Sequence, residues 1–267
     1  MTPRITKIVA VIGAIIGVAC IDMSAPQGPA SISVLQLPSP SVVVGDSMRD
    51  STGAPAKLNV IAYDASGTPL SDVTPEFFIT DTGAAAHIVS ATGVLVGDKP
   101  GSVRIIGQVG ALQTPVATVP VTIAPTLIER SGSTTDTLRA PLTADTSVAS
   151  RGKLAAAVLV TGAEKAGAQG FVVRFKLVYA PRSASSTSPA IFLADDQGRP
   201  SSVDTSDASG RASRDVVVIT PFLGDSAVLF GKVDSVVVLA EASYKRALVA
   251  GSPVRIVIPL KVAAKLP

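Results

Sequence analysis

Hydrophobic and polar residues alternate along much of the chain with a period of two, which is the pattern of β-strands that bury one face. The alternation is clearest over residues 87–109, where short apolar runs are separated by glycine turns at 92–93 and 98–101. After the second turn, Val103, Ile105, Gly107 and Val109 alternate with Arg104, Ile106 and Gln108. This stretch predicts three short strands of a β-sandwich.

The same pattern continues on both sides of this stretch. Alternating apolar residues at 58–63 lead into an Asp-Ala-Ser-Gly turn at 64–67, and Phe77 and Phe78 lie on a further predicted strand. We therefore predict a first sandwich over residues 31–124. Pro120 cannot donate to a strand ladder, so we expect its strand to be an edge strand or to contain a bulge. An open edge near Val42 or Pro120 would let another chain add a strand there.

A second set of alternating segments predicts a second β-sandwich over residues 151–267. Phe171, Val173, Phe175, Leu177 and Tyr179 share one predicted face, and the period recurs over 236–244 and 254–260. The Asp-Ala-Ser-Gly turn at 207–210 repeats the earlier turn letter for letter. Residues 125–150 are rich in Ser, Thr and Asp and predict a linker with one short strand near 138–142, through which the sandwiches would reorient.

Composition supports an all-β chain of two domains. The 267 residues include 22 glycines and 20 prolines but only 4% aromatic residues, as expected for many short strands separated by turns. Removal of Arg4 and Lys7 with a signal segment would leave 21 basic residues against 20 acidic ones. Since no basic run is present, the sequence excludes nucleic acid as an expected partner.

The N-terminus predicts export. Arg4 and Lys7 precede a run of twelve apolar residues from Ile8 to Ala19. Twelve helical residues span roughly 18 Å, which is short of the roughly 30 Å hydrocarbon core of a membrane. We therefore expect a signal segment over residues 1–19 and not a membrane-spanning helix. The run ends at Cys20, the only cysteine of the chain.

The Gly-Val-Ala-Cys sequence at 17–20 resembles the lipobox of bacterial lipoproteins, in which the cysteine thiol is acylated and the signal is cut before it. The resemblance implies a lipidation site at Cys20, with the membrane as a partner through its lipid. Gly17 departs from the branched residue usual at that position, which leaves ordinary signal cleavage open. Acyl chains anchor at about 0.8 kcal/mol per buried methylene. Residues 20–30 predict a flexible tether.

Several motifs of the first sandwich resemble the group 2 (BIG2-type) bacterial Ig-like domains. These are the turn at 64–67, the Thr-Gly-Val at 92–94 and the Gly-Asp-Lys-Pro-Gly at 97–101. Phe77 and Phe78 stand where that family often has a tryptophan. Residues 204–212, Tyr244 and the segment after Gly251 resemble the group 1, invasin-type domains less closely.

The resemblances imply two Ig-like sandwiches in a non-enzymatic lipoprotein of the cell envelope, for adhesion or structural scaffolding. The outer membrane or cell surface is favoured over the inner membrane. A protein or a polysaccharide is a candidate partner, and its identity is left open. The alternative function is a polysaccharide-binding module that acts through the sandwich loops. Exposed tyrosine rings on one face, among Tyr63, Tyr179 and Tyr244, would favour that alternative.

Catalysis and metal binding find little support in the sequence. His87 is the only histidine, no catalytic or zinc-site motif surrounds it, and we expect it on the surface. Asp195, Asp196, Asp204 and Asp207 cluster around two glycine turns, and oxygen-rich loops can bind calcium. Their spacing matches no calcium loop, so we expect turn hydrogen bonds instead. The sequence thus predicts no catalytic residue, no metal ligand, no cofactor and no enzyme activity.

Overall fold

The computed structural model describes residues 28–133, 135–140, 151–181, 189–219 and 234–262. Regular structure in these ranges is almost all β-strand, with one 3-10 turn at Ala163–Lys165, and this confirms the all-β prediction. No helix in the described residues is both long enough and apolar enough to cross a membrane. The signal segment, Cys20 and most of the tether lie outside the described residues.

The first sandwich is built from ten strands in the described residues. Their bounds are β1 Ser31–Ile32, β2 Val42–Val43, β3 Ala62–Tyr63, β4 Pro69–Leu70, β5 Glu76–Ile79, β6 Ala86–Val89, β7 Val94–Gly97, β8 Gly101–Val109, β9 Leu112–Gln113 and β10 Ala117–Thr122. One sheet has the order β2-β10-β8-β5, with β9 beside β8. The β1-β3-β4 sheet and the β6-β7 pair complete the sandwich.

The alternation read from the sequence forms the core of this sandwich. On β8, Val103, Ile105 and Val109 are buried, whereas Arg104 faces solvent. Gly107 lies on the same buried face, where a Cβ would come within 2.6 Å of the Val60 side chain. The absence of a side chain thus lets the two sheets approach closely at this point.

The second sandwich also contains ten strands in the described residues. Their bounds are β11 Leu127–Ser131, β12 Leu138–Ala140, β13 Arg151–Thr161, β14 Val172–Tyr179, β15 Ile191–Ala194, β16 Val203–Thr205, β17 Arg211–Ile219, β18 Asp234–Tyr244, β19 Ala247–Leu248 and β20 Val254–Val262. One sheet has the order β11-β13-β17-β15. The other has the order β12-β20-β18-β14-β16, with β19 beside β18.

The stretch predicted as a linker differs from that prediction over its described part. β11 pairs with β13, and β12 runs parallel to β20, so both strands belong to the second sandwich. Ile128 and Leu138 are buried in its core. β12 is the short strand predicted near 138–142, whereas β11 was not predicted, because its stretch has few apolar residues among polar ones. Residues 141–150 of the predicted linker lie outside the described residues.

Two local expectations are wrong. β10 is not an edge strand, because Val121 and Thr122 pair with β2 while the same strand pairs with β8. β2 is likewise covered: Val44 bridges to Gly97 on its far side, so the backbone near Val42 offers no open edge for strand addition.

Tyr179 also leaves its predicted face, because the register of β14 against β18 shifts between Leu177 and Tyr179.

Candidate functional site: the contact between the two sandwiches

The single histidine forms an ion pair at the surface. His87 lies on β6 with 55% of its side chain exposed, and its Nδ1 is 2.9 Å from both carboxylate oxygens of Asp98. No other side chain in the described residues contacts its ring through a hydrogen bond. An exposed imidazole with one carboxylate neighbour has no nucleophile beside it to activate.

The repeated Asp-Ala-Ser-Gly sequence folds identically in the two sandwiches. One Asp64 oxygen accepts hydrogen bonds from the Ser66 amide, the Ser66 hydroxyl and the Thr68 amide at 2.7–2.8 Å. Asp207 accepts the equivalent three bonds, from Ser209 and Arg211, at 2.6–3.0 Å. The serine hydroxyl bond is the main reason that the pKa of each carboxyl is lowered. These carboxylates hold turns.

The other aspartates considered for calcium are also engaged locally. Asp195 accepts from the Gln197 and Arg199 amides, as in the turns above. Asp204 accepts from the Ser213 amide and pairs with Arg214 at 3.0 Å. Within the described ranges, no three His, Cys, Asp or Glu side chains are grouped so that they could hold a metal ion. Asp195, Asp196, Asp204 and Asp207 are therefore not brought together as a metal site in these ranges.

The three tyrosines do not share an exposed face. Tyr179 is half exposed, and its hydroxyl donates to Asp234 at 3.2 Å. Tyr63 is partly buried in the first sandwich. Tyr244 packs edge-on against Phe171, with ring centroids 6.0 Å apart and an interplanar angle of 86°. Because Tyr244 is engaged inside the protein, these rings do not form the sugar-stacking face that the alternative function called for.

Tyr244 leads to a polar cluster that spans the two sandwiches. Its hydroxyl donates to Asp46 Oδ2 at 2.5 Å, across 198 positions of sequence. Arg49 donates to both oxygens of Asp46 at 2.8 Å, and Lys245 Nζ lies 3.5 Å from Oδ2. Asp46 and Arg49 belong to the first sandwich, and Tyr244 and Lys245 belong to the second. We call these four residues the Asp46 cluster.

The electrostatics of the Asp46 cluster favour the ionised carboxylate. Only 10% of the Asp46 side chain is exposed. Burial raises the pKa of Asp46, but the hydrogen bonds from Arg49 and Tyr244 outweigh it and bring the pKa from its usual 3.8 to about 2. Burial, together with the bond to Asp46, raises the pKa of Tyr244 well above its usual 10. At neutral pH the cluster therefore contains an anion and a neutral phenol donor.

Hydrogen bonds beside the cluster join the two sandwiches at further points. The Ser41 hydroxyl donates to the Gly170 carbonyl at 3.1 Å, and the backbone N–H of Gln169 donates to the Thr122 hydroxyl at 3.0 Å. Each bond links a residue of the first sandwich to one of the second. The contact is therefore not confined to a single side chain.

Apolar packing continues across the same contact. Val43 of β2 is buried in the core cluster of the second sandwich, and Ile123 packs against that cluster. The backbones also approach closely at two glycines. A Cβ on Gly170 would lie 2.4 Å from Ser41 Cβ, and one on Gly53 would lie 2.7 Å from the Arg246 amide nitrogen. The two sandwiches thus meet at van der Waals distance as well as through polar bonds.

Sequence reasoning did not find this contact. The period of two over residues 236–244 predicts Tyr244 on a buried face of its own sandwich, and Asp46 lies in no recognised motif. The sequence carried no signal for the turn either: Lys245 and Arg246 adopt left-handed conformations, with φ of 51° and 67°, between the paired strands β18 and β19. Two-residue hairpin turns of this kind normally carry Asn-Gly.

No family model and no curated protein matches the chain. Among solved structures, the D0-D1 domain of intimin is similar over 86% of this chain and 98% of that chain, with 14% identity and a TM-score of 0.26. The Yersinia pseudotuberculosis adhesin InvE is similar over 88% of this chain and 60% of that chain, with 17% identity and a TM-score of 0.32. Domains 1-6 of the surface layer protein SbsC are similar over 90% of this chain and 29% of that chain, with 15% identity and a TM-score of 0.30. The assignment of two β-sandwiches rests on the strand pairing of this chain.

Proposed function

We propose that the chain is a non-enzymatic envelope protein that holds two Ig-like sandwiches as one stiff unit, for adhesion or structural scaffolding at the cell surface. In this proposal the lipid on Cys20 attaches the chain to a membrane, and the following residues act as a tether. The stiff pair of sandwiches then presents its far end away from the bilayer.

The observation that carries the proposal is the contact between the sandwiches. Domains in one chain move relative to each other by default unless their interface is extensive and well packed. Here a partly buried carboxylate, two further hydrogen bonds and the packing of Val43 into the neighbouring core all oppose such motion. A spacer or scaffold benefits from that stiffness, because a fixed shape transmits position and force.

The anchoring part of the proposal rests on the sequence at 17–20 and on the apolar run before it. Two or three acyl chains on Cys20 would bind a bilayer far more firmly than one chain. No membrane-spanning helix is then needed for attachment. The role as an exported surface protein depends on this step and is tested separately from the stiffness.

Fractionation and protease shaving of intact cells test the anchoring. We expect the wild type in the membrane fraction and accessible to protease, and the Cys20→Ala variant in the soluble fraction. Cys20→Ser is a matched control, since it also lacks the thiol and should be released in the same way. A membrane-bound wild type protected from protease would move the scaffold to the periplasmic side. A soluble wild type would contradict lipid anchoring.

A further inference from the structure

A cleft of about 140 Å³ opens where the two sandwiches meet, beside the Asp46 cluster. Both sandwiches line it, so the cleft exists only while the contact between them is made. Its walls are rich in hydroxyl groups, from Ser39, Ser41, Ser47, Ser51, Thr52 and Ser243. Such groups donate and accept hydrogen bonds, which suits a ligand with many polar atoms.

Cations outnumber anions around this cleft. Arg49, Arg174, Lys245 and Arg246 line it, against the carboxylates of Asp50 at its wall and Asp46 in the adjoining cluster. With Glu241, which lies opposite Arg174 on β18, four positive charges face three negative ones and leave a surplus of one. The surplus is available to a ligand, since the Arg174 guanidinium makes no hydrogen bond or ion pair of its own with any described residue.

The backbone places two of these cations at a conformational cost. Lys245 and Arg246 occupy the left-handed region, where side chains other than those of Gly, Asn and Asp are disfavoured. The turn brings Lys245 Nζ to 5.2 Å from the Tyr244 ring centroid and sets the Arg246 backbone against Gly53. Backbone strain of this kind clusters at functional sites, which makes the turn a candidate part of a binding site.

The positive surface continues from the cleft along the outward face of one sheet. Arg174 and Lys176 are two residues apart on β14, and both are exposed. Lys176 lies opposite Leu239 of β18, which in turn lies opposite Arg255 of β20. Glu241, opposite Arg174, is the acidic residue among them. A chain-like anion could therefore contact the cleft and this face together.

From this geometry we infer that the cleft binds an acidic polysaccharide, with one sulfate or carboxylate group held between Arg174, Lys245 and Arg246. The surrounding hydroxyl groups bind the sugar hydroxyls, and Lys176 and Arg255 contact the next charged groups of the polymer. This binding site goes beyond the proposed scaffold role and depends on the contact between the sandwiches, but not on the lipid anchor.

The chemistry of the cleft favours a sugar polymer over a nucleic acid. Single-stranded nucleic acids are normally bound by exposed aromatic rings on which the bases stack. Here the Tyr244 ring is packed against Phe171, and hydroxyl groups take up much of the wall. Binding of a single-stranded oligonucleotide as tightly as the acidic polysaccharide would therefore count against the inference.

Calorimetric titration of the purified wild-type chain with dextran sulfate, polygalacturonate and neutral dextran tests the inference. We expect dextran sulfate or polygalacturonate to bind, and the stronger of the two identifies the acidic group. Neutral dextran should not bind. Arg174→Gln with Arg246→Gln should lower the affinity by roughly tenfold or more, as expected for the loss of two charge-assisted contacts.

Two further variants separate binding from folding and from general charge. Lys245→Asn with Arg246→Gly supplies the residues that the left-handed turn prefers, and this gain offsets the lost ion pair between Lys245 and Asp46. The melting temperature should therefore change little, while binding weakens. Arg151→Gln with Lys261→Gln removes the same charge at the other end of the second sandwich and should leave binding unchanged. The inference is overturned if neither acidic polymer binds, if neutral dextran binds equally, or if the two charge-removing pairs weaken binding to the same extent. None of these results would alter the membrane fractionation.

Discussion

Asp46 is the residue on which the polar contact between the sandwiches depends. Its carboxylate accepts bonds from a phenol of one sandwich and a guanidinium of the other, and it is only 10% exposed. Hydrogen bonds to a charged group are stronger than neutral ones, and removal of the charge leaves its buried partners unsatisfied. The contact should therefore respond sharply to changes at this one side chain.

Asp46→Asn keeps the size of the side chain but removes its charge. We expect the variant to lose about 1–2 kcal/mol of stability, the range for partly screened charge-assisted hydrogen bonds. Urea unfolding monitored by circular dichroism measures the loss. Asp98→Asn is the matched control, because its carboxylate contacts only the exposed His87 within the described residues. Equal unfolding midpoints for the two variants would contradict the role assigned to Asp46.

The low pKa of Asp46 predicts how its contribution depends on pH. A carboxyl group whose pKa is lower in the folded state stabilises that state above its unfolded pKa, here near 3.8. The contribution is lost as pH falls toward the folded value of about 2. The stability difference between wild type and Asp46→Asn should therefore be largest at neutral pH and shrink between pH 4 and pH 2. A difference that stays constant over this window would contradict the assignment.

Two glycines in equivalent turns provide a matched test of the close approach. Gly53 and Gly67 have φ of 82° and 83°, so alanine at either position carries the same left-handed strain, about 1–2 kcal/mol. Only at Gly53 would the new Cβ also meet the neighbouring sandwich, 2.7 Å from the Arg246 nitrogen. At Gly67, a new Cβ would have no atom within 4 Å beyond the adjoining residues of the chain. We expect Gly53→Ala to have the lower melting temperature. Equal melting temperatures would mean that the sandwiches separate at little cost.

At the scale of single elements, the Asp-Ala-Ser-Gly turns show how much a short motif can specify. Asp207→Ala removes three hydrogen bonds from the turn before β17 and should lower the melting temperature by a few degrees. Asp207→Asn retains an acceptor oxygen at the same place and should change it much less. Calorimetry of both variants provides the comparison. Equal losses would show that the charge, and not the hydrogen-bond geometry, holds the turn.

Strands that alternate strictly could be predicted from the sequence, and strands that do not alternate could not. β8 and β14 each carry three large apolar residues on one face at alternate positions, so burial of that face determines their structure. β11 reads Leu-Ile-Glu-Arg-Ser and has too few apolar residues to signal a strand by itself. It forms because β13 offers it a backbone ladder and the core accepts Ile128.

At the scale of the whole molecule, the contact between the sandwiches could not be predicted. Asp46 and Tyr244 are 198 residues apart, and neither lies in a motif that predicts a partner. The alternation correctly predicts that Tyr244 lies on a strand. Because it is the last residue of β18, however, it contacts the other sandwich. Such a pairing depends on how two finished sandwiches dock, and a period of two describes only the faces within each sandwich.

The connection between the sandwiches is also shorter than the composition indicated. β10 ends at Thr122 and β11 begins at Leu127, so four residues join the sandwiches. Ile123 of this connection packs against the second core. A short connection that is itself packed restricts the angles the two sandwiches can adopt, and it acts together with the Asp46 cluster.

The measurement that tests the stiff two-sandwich unit most directly is the distance distribution between spin labels on the two sandwiches. Ala65 and Ala208 occupy the same exposed position in the two equivalent turns and can be replaced by labelled cysteines in a Cys20→Ser background. We expect one narrow distance distribution for the otherwise native protein, and a broader one when Asp46→Asn is added. A broad distribution without Asp46→Asn would contradict the account, because it would show sandwiches that reorient freely.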